Sequence, residues 1–218
     1  MTPGPERASS TQPEPGLGEN RRMPVTPAFS ICVYCGSRPG TDPTFAAAAT
    51  RVGTWIGARG GQLVYGGGNN GLMGVLADSA LAAGASVVGI IPRSMVEREW
   101  AKTDCTELHV VENMHERKSL MADRADAFLA LPGGIGTFEE LFEAWTWRQL
   151  SFHDKPVGLL DAGGYYAGLI DFLRQGVTHG FMTEAMMDLL TIGSEVDDLL
   201  ERLVADIRPA QRMDVSQI

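Results

Sequence analysis

The chain is poor in several features that mark particular classes of protein. Its 218 residues include only three cysteines, and no apolar run approaches the ~20 residues that a membrane-spanning helix needs. The formal net charge is −9, whereas broad binding to nucleic acids or anionic membranes calls for a basic face. Low cysteine use and the lack of a signal peptide fit a reducing compartment. We therefore expect a cytoplasmic protein with neither nucleic-acid nor membrane partners. The negative net charge still allows one local basic pocket for a small anion.

Two of the cysteines, Cys32 and Cys35, form a C-x-x-C pattern that occurs in redox and zinc sites. The surrounding segment FSICVYC has the pattern of a strand, and residues three apart on a strand face opposite sides. No second C-x-x-C or C/H pair follows. We expect buried structural cysteines and no metal site.

The body of the chain alternates between strand-like and helix-like segments. Residues 1–27 are rich in Pro, Gly, Ser and Glu and are predicted to be a disordered tail, residues 28–208 a single catalytic domain, and residues 209–218 a C-terminal tail. Six strands are predicted, in the segments FSICVYC, QLVYGGG, SVVGIIP, ELHVVEN, DAFLALPGG and KPVGLLD. The alternation predicts an α/β, Rossmann-like three-layer fold, with a mostly parallel sheet flanked by helices. Ligands bind such sheets outside the carboxyl ends of the strands.

A first glycine-rich loop, YGGGNNGLMG, follows the second predicted strand. Gly66, Gly68 and Gly71 match G-x-G-x-x-G. A dinucleotide site would place this loop after the first strand and an acid about 20 residues later, but the segment GIIPRSM at that distance has no acid. The pattern favours a backbone loop that lines a phosphate or ribose, with a tight turn without ligand as the alternative.

A second glycine-rich loop opens the stretch LPGGIGTFEELFEAW. Gly133, Gly134 and Gly136 would let backbone N–H groups approach a ligand without obstruction by Cβ atoms. Thr137 is predicted to cap the following helix and to offer a hydroxyl. Free N–H groups and the helix dipole favour an anion at this position. A plain strand-to-helix turn is the alternative.

Three glutamates follow this loop closely. Apolar residues at i, i+3, i+4 and i+7 predict the core-facing stripe of the helix: Phe138, Leu141, Phe142 and Trp145. Glu139 and Glu143 are interpreted as surface or supporting acids. Glu140 shares its stripe with Ala144 and Trp147, which predicts a face covered by a ligand or a partner. Glu140 is therefore the candidate functional acid.

The basic counterpart is the segment ENMHERKSL. Asn113 with Glu116 three residues later predicts a capping box, which places Arg117 and Lys118 in or near the first helical turn. Cations there oppose the helix dipole, so we expect them to face an anion held by the second glycine loop, or Glu140 itself. A solvated pair is the alternative.

Several segments together resemble the Lonely Guy family of cytokinin-activating nucleoside 5′-monophosphate phosphoribohydrolases. They are MHERK, ADAFLALPGGIGTFEEL, TWRQL, HDKPVGLLDAGGYY, CGSRPG and YGGGNNGLMG. The likeness runs from about residue 29 to residue 181. One departure is Arg38, where a small residue is common in the family.

The resemblance implies roles for individual residues. Arg117 and Glu140 match the catalytic arginine and glutamate. The other matched positions bind the substrate: Gly133, Gly134, Gly136 and Thr137 at the 5′-phosphate, Lys118, Glu99 and Thr146 along the nucleotide, and Ser37, Gly67 and Gly68 in the matching glycine-containing loops. The resemblance also implies no metal and no organic cofactor, and a homodimer with the site near the subunit interface.

The expected reaction is hydrolysis of the N-glycosidic bond of an adenosine 5′-monophosphate, plain or N6-prenylated, to free base and ribose 5-phosphate. Cleavage builds positive charge on the ribose, which a carboxylate at Glu140 would stabilise. Arg117 is expected to orient Glu140 and keep it ionised.

Two other functions compete with this reaction. A non-catalytic nucleotide or molybdenum-cofactor carrier would keep the glycine loops without needing Arg117 and Glu140. A lysine decarboxylase would need pyridoxal phosphate on a lysine, and the chain has only Lys102, Lys118 and Lys155.

Overall fold

A computed structural model describes Met1, residues 26–98 and residues 100–208. The two predicted tails lie outside the described residues, except for Met1 and residues 26 and 27. Glu99, one of the predicted nucleotide-lining residues, also lies outside them.

A seven-stranded sheet forms the middle layer of the fold. Its strands are β1 (Ser30–Tyr34), β2 (Gln62–Tyr65), β3 (Ser86–Pro92), β4 (Glu107–Val111), β5 (Ala127–Ala130), β6 (Val157–Leu160) and β7 (Leu190–Gly193). Every neighbouring pair is parallel, in the order β4-β3-β2-β1-β5-β6-β7. The strand order reverses between β1 and β5, which is where an open parallel sheet leaves a crevice for ligands.

Helices cover both faces of this sheet. They are α1 (Pro43–Ala58), α2 (Gly71–Ala82), α3 (Arg93–Val96), α4 (Met114–Asp123), α5 (Ile135–Gln149), α6 (Ala167–Thr178), α7 (Glu184–Asp188) and α8 (Val196–Ala205). Helices α1, α2 and α8 contribute to one apolar core, and α4, α5 and α6 to the other. The predicted three-layer α/β fold is thus confirmed. None of the described helices is both long and apolar enough to cross a membrane.

Strand β1 shows how the sequence supplies both cores. Ile31 and Val33 enter the core beneath α1 and α2, whereas Cys32 and Tyr34 enter the opposite core. Alternation along a strand produces this division. Cys35 lies in the first core, so the two cysteines face opposite sides as predicted. Both are buried free thiols, and burial raises the pKa of each well above its ordinary value, so both remain protonated.

Strand β7 is absent from the sequence prediction of six strands. It has four residues, LTIG, and only Leu190 is fully buried. Because β7 lies at the sheet edge and is short, it lacks the continuous apolar run that marks the central strands. The prediction was therefore one strand short.

Candidate active site

Three loops meet at the carboxyl edge of the sheet, where the strand order reverses. The first loop (residues 36–40) follows β1, the second (residues 66–70) follows β2, and the third (residues 132–134) follows β5. Backbone hydrogen bonds tie them together: Gly36 N–H donates to Pro132 O at 3.1 Å, and Leu72 N–H donates to Gly36 O at 3.0 Å. The first loop is therefore held between the other two.

Two cavities open beside these loops. The first has a volume of about 360 Å³, and its walls include Ser37, Arg38, Gly133 and Gly134. The second has a volume of about 280 Å³, and its walls include Ser37, Arg38, Gly66, Gly68 and Arg117, with apolar side chains from Met73, Ile91, Met95 and Trp100. Ser37 and Arg38 line both cavities, so the cavities adjoin at the first loop.

Helix α5 begins directly after the third loop, before Thr137, which was predicted to cap it. Gly134 is the N-cap, without a side-chain hydrogen bond, and the helix starts at Ile135. The prediction that Thr137 caps this helix is wrong: Thr137 lies inside the first turn and is buried. Its side chain packs on Gly133, where an added Cβ would lie 2.1 Å from the threonine Oγ1. The N–H groups of the first turn have no intrahelical partner. Gly134 and Gly136 leave them unshielded, because a Cβ atom at either position would project into open space.

Arg117 is buried and held by main-chain carbonyls at the ends of two strands. Its Nε donates to Ile90 O at 3.1 Å, and its Nη2 donates to Gly66 O at 3.1 Å. Its Nη1 lies 3.4 Å from Oε1 of Glu140. The expectation that Arg117 faces Glu140 is confirmed, and the guanidinium is fixed by three elements at once.

Glu140 lies on the second turn of α5, with 11% of its side chain exposed. Burial raises the pKa of its carboxyl to about 7, while the Arg117 charge acts in the opposite direction and Glu139 adds to the rise. Arg117 thus lowers the pKa of Glu140 as expected, but the net shift is upwards, so Arg117 does not by itself keep the carboxyl ionised. Burial outweighs the ion pair because removing a carboxylate from water disfavours its charged form.

Lys118 faces the other two glutamates of α5. Its Nζ lies 2.5 Å from Glu139 Oε1 and 2.9 Å from Glu143 Oε1. Both acids therefore join α5 to α4, in agreement with their interpretation as supporting residues. Lys118 does not line either cavity within the described chain.

The stripe of Ala144 and Trp147 is covered by the chain itself. Ala144 is 1% and Trp147 7% exposed, and both belong to the core beneath α5. The expectation that a ligand or a partner covers this stripe is wrong, because α5 packs more of its circumference on the sheet than the four-residue stripe predicts. Thr146 is exposed instead, on a separate depression of about 190 Å³ with Phe142 and Met182. The single chain does not bring Thr146 to the two cavities.

Gly67 is not among the residues that line either cavity. Its φ is +71°, and a Cβ there would lie 3.0 Å from Ile91 Cβ. Its carbonyl accepts a hydrogen bond from Lys102 N–H at 2.9 Å. Gly66 and Gly68, by contrast, lie in the cavity wall. The predicted roles of Gly67, Gly68 and Ser37 in substrate binding remain predictions.

Two tyrosines contribute to the site without having been singled out in the sequence. Tyr165 Oη donates to Gly133 O at 2.6 Å, and Tyr166 Oη donates to Leu131 O at 2.7 Å. Both follow β6, whose carboxyl end lies at the same sheet edge. The segment GGYY shortly after the sixth predicted strand was the available signal, and its two hydroxyls fix the carbonyls of Leu131 and Gly133.

The three lysines are occupied by other groups. Lys102 Nζ lies 2.6 Å from Asp78 Oδ1, and Lys155 Nζ donates to Ala122 O at 2.7 Å. Lys118 is held by its two glutamates, and none of the three lines either cavity. Across the described ranges, no group of three or more His, Cys, Asp or Glu side chains is placed to hold a metal ion.

Comparison with known proteins connects this geometry to a family. A family model described as "Possible lysine decarboxylase" matches residues 73–203. The probable cytokinin riboside 5′-monophosphate phosphoribohydrolase LOG4 of Oryza sativa subsp. japonica is 45% identical over 177 residues, covering 81% of this chain and 77% of that protein. The cytokinin riboside 5′-monophosphate phosphoribohydrolase LOG1 of Arabidopsis thaliana is 42% identical over 173 residues, covering 79% and 81%.

Solved structures with low sequence identity share the fold. The molybdenum cofactor binding protein from Rippkaea orientalis superposes with a TM-score of 0.63 at 22% identity, covering 85% of this chain and 100% of that one. The molybdenum cofactor carrier protein from Chlamydomonas reinhardtii gives 0.62 at 21% identity, covering 81% and 98%. Since the plant relatives combine much higher identity with coverage of more than three quarters of both chains, this chain belongs to the Lonely Guy (LOG) family.

Proposed function

We propose that the protein hydrolyses the N-glycosidic bond of adenosine 5′-monophosphates, including N6-prenylated ones, to free base and ribose 5-phosphate. The observation that carries this proposal is the contact of 3.4 Å between Glu140, on the second turn of α5, and Arg117, which lines the second cavity. The names of the plant relatives support the same reaction.

The substrate divides along the beginning of α5. Gly133 and Gly134 line the first cavity, and the free N–H groups that follow them suit a phosphate. Glu140 comes one to two turns later, at the position where the ribose of a bound nucleotide would lie. The pairing of an anion site with a nearby acid fits a substrate that is negative at one end and develops positive charge at the other.

The chemistry requires a water molecule as the second reactant. The bond between ribose C1′ and the base nitrogen breaks, the water oxygen bonds to C1′, and a proton reaches the departing base. The ionised form of Glu140 stabilises the positive charge that develops on the ribose. That developing charge also favours ionisation of a carboxyl whose pKa of about 7 leaves both forms populated near neutral pH.

The second cavity suits an apolar substituent on the base. Apolar side chains form part of its wall: Met73, Ile91, Met95 and Trp100. An N6-prenyl group would remove apolar surface from water against these side chains, and burial stabilises by about 25 cal/mol per Å². This supports prenylated adenosine monophosphates as substrates beside AMP.

We place the protein in the cytoplasm as a homodimer with the site near the subunit interface. The three cysteines are free thiols, which suits a reducing compartment. Thr146, matched by resemblance to a nucleotide-lining position, lies on a separate exposed depression, and a partner subunit would be needed to bring it to a nucleotide. Sedimentation velocity should give twice the mass of the chain, whereas the mass of one chain would contradict the dimer.

The catalytic assignment is tested with Glu140→Gln and a matched control, Glu201→Gln. Glu201 is exposed and pairs with Arg59 on the surface of α8. With AMP and isopentenyladenosine monophosphate as substrates, we expect Glu140→Gln to lower kcat/KM by at least about 100-fold, the usual loss for one electrostatic contact to a transition state, and Glu201→Gln to change it less than twofold. Base release by Glu140→Gln at the wild-type rate would contradict the assigned role.

The competing functions have less support. The molybdenum-cofactor proteins share the fold at 21–22% identity, and a carrier has no need of the Arg117–Glu140 pair. A pyridoxal-phosphate decarboxylase needs a free lysine beside its cofactor, but all three lysines are engaged elsewhere. Protein that binds AMP without cleaving it would favour the carrier.

A further inference from the structure

The two adjoining cavities have a charge opposite to that of the chain as a whole. Among the described residues that line them, the only charged side chains are Arg38 and Arg117, and no acid is present. The chain carries a formal net charge of −9. Arg117 has Glu140 beside it at 3.4 Å, so Arg38 is the wall charge without an acid partner among the described residues, and it points to a negatively charged ligand.

Arg38 is the one cation on the described walls of the first cavity. The two basic residues of α4 that were predicted to face a ligand are committed: Arg117 to Gly66 O, Ile90 O and Glu140, and Lys118 to Glu139 and Glu143. The remaining polar groups at the cavity are uncharged: backbone groups and the hydroxyls of Ser37 and Tyr165, of which the Tyr165 hydroxyl donates to Gly133 O. Arg38 is therefore the side chain that would bring a full positive charge to a phosphate bound in this cavity.

The backbone at Arg38 is held firmly by its neighbours. A Cβ on Gly36 would lie 2.9 Å from Arg38 O, and a Cβ on Gly71, whose φ is +59°, would lie 2.5 Å from Arg38 N. The first loop is also hydrogen-bonded to Leu72 and Pro132. Arg38 is exposed and forms no ion pair among the described residues, so its guanidinium is available to a ligand in either cavity.

We propose that Arg38 binds the 5′-phosphate of the substrate and sets the preference for nucleoside monophosphates over nucleosides. A guanidinium presents N–H donors in a planar fork that matches two phosphate oxygens. Helix α5 supplies backbone N–H groups from one side, and Arg38 supplies charge from the other. This inference rests on the proposed function for the identity of the phosphate as part of a nucleotide.

The test compares Arg38→Met with Arg38→Lys and with the control Arg174→Met. Arg174 is exposed on α6, away from both cavities, and its loss changes the net charge equally. We expect Arg38→Met to raise KM for AMP about 10- to 100-fold, the factor for losing one charge-assisted contact, with kcat changed less than threefold. The KM of Arg38→Lys should lie between those of wild type and Arg38→Met, because lysine keeps the charge but lacks the planar fork of N–H donors. Arg174→Met should have the KM of wild type.

A binding titration with ribose 5-phosphate separates this inference from the proposed function. If wild type cleaves AMP but Arg38→Met keeps KM and the ribose 5-phosphate Kd within twofold of wild type, the Arg38 assignment is overturned and the hydrolase proposal stands. If wild type does not cleave AMP, the hydrolase proposal fails, and a Kd at least tenfold weaker in Arg38→Met still supports Arg38. Wild type that binds neither AMP nor ribose 5-phosphate overturns both. Thermal melts check folding, and Arg38→Gln replaces any variant that does not fold.

Discussion

A single methyl group on Gly66 should disable the site while leaving the fold in place. An ideal Cβ at this position would lie 1.9 Å from Nη2 of Arg117, and Cβ contacts below 3.0 Å are essentially never found. In Gly66→Ala, the guanidinium must therefore retreat by about 1 Å. It would lose its hydrogen bond to Gly66 O and its placement beside Glu140. A charge-assisted hydrogen bond contributes about 1.5–3 kcal/mol, so the free energy of unfolding should fall by about that amount.

The effect on activity should be larger than the effect on stability, since a displacement of about 1 Å in a catalytic group can cost about 100-fold in rate. We expect kcat/KM for AMP to fall about 100-fold in Gly66→Ala, with a cooperative thermal transition retained. The control is Gly168→Ala on α6, where a Cβ would meet nothing within 4 Å. It should keep full activity and gain about 0.5–1 kcal/mol of stability, because alanine suits a helix better than glycine. Gly66→Ala activity within threefold of wild type would refute the requirement for a fixed Arg117.

Three further predictions concern the titration of Glu140. The kcat/KM for AMP should rise with pH through an apparent pKa near 7, because the ionised carboxyl is the active form; a profile flat from pH 5.5 to 8 would contradict this. Glu139→Gln removes a charge that raises the Glu140 pKa, so the same limb should move to lower pH, and a shift upwards would be inconsistent with the geometry. The pKa of Glu140 in the folded protein lies above its ordinary value of 4.5, so ionising Glu140 lowers the stability of the fold, increasingly as the pH rises from about 4.5 to 7. In denaturant titrations at pH 8, the free energy of unfolding of Glu140→Gln should exceed that of wild type by up to about 3 kcal/mol, and the difference should vanish near pH 4.5. Equal stabilities at pH 8 would argue against a buried carboxyl.

The sequence was sufficient to predict what depends on local pattern. Central strands such as β1 and β5 are continuously apolar because both faces are covered, and glycine-rich loops after such strands must lie at one sheet edge. This placement predicts that Arg117 and Glu140 follow strands that end at the same sheet edge. The Asn113 cap on α4 likewise follows from short-range spacing, and its side chain accepts from Glu116 N–H. The predicted capping box is only half formed, because the Glu116 carboxylate accepts from Glu112 N–H and not from the Asn113 backbone.

Features that depend on tertiary burial were not accessible in this way. The pKa of Glu140 is set by two opposed effects, desolvation and the charge of Arg117. A sequence shows the charge of Arg117 but not how deeply Glu140 is buried. Ala144 and Trp147 were assigned to a partner or a ligand because the width of the buried face of α5 depends on the sheet beneath it. The early start of α5 follows from Gly134, whose backbone begins the helix without a capping side chain, so the threonine three residues later carried a misleading signal.

The most direct test of the account is product analysis of wild-type protein incubated with AMP in phosphate-free buffer. Hydrolysis at the Arg117–Glu140 site predicts adenine and ribose 5-phosphate in equal amounts, at a rate that Glu140→Gln lowers at least about 100-fold. Intact AMP, or release of adenosine and inorganic phosphate in place of adenine, would contradict it.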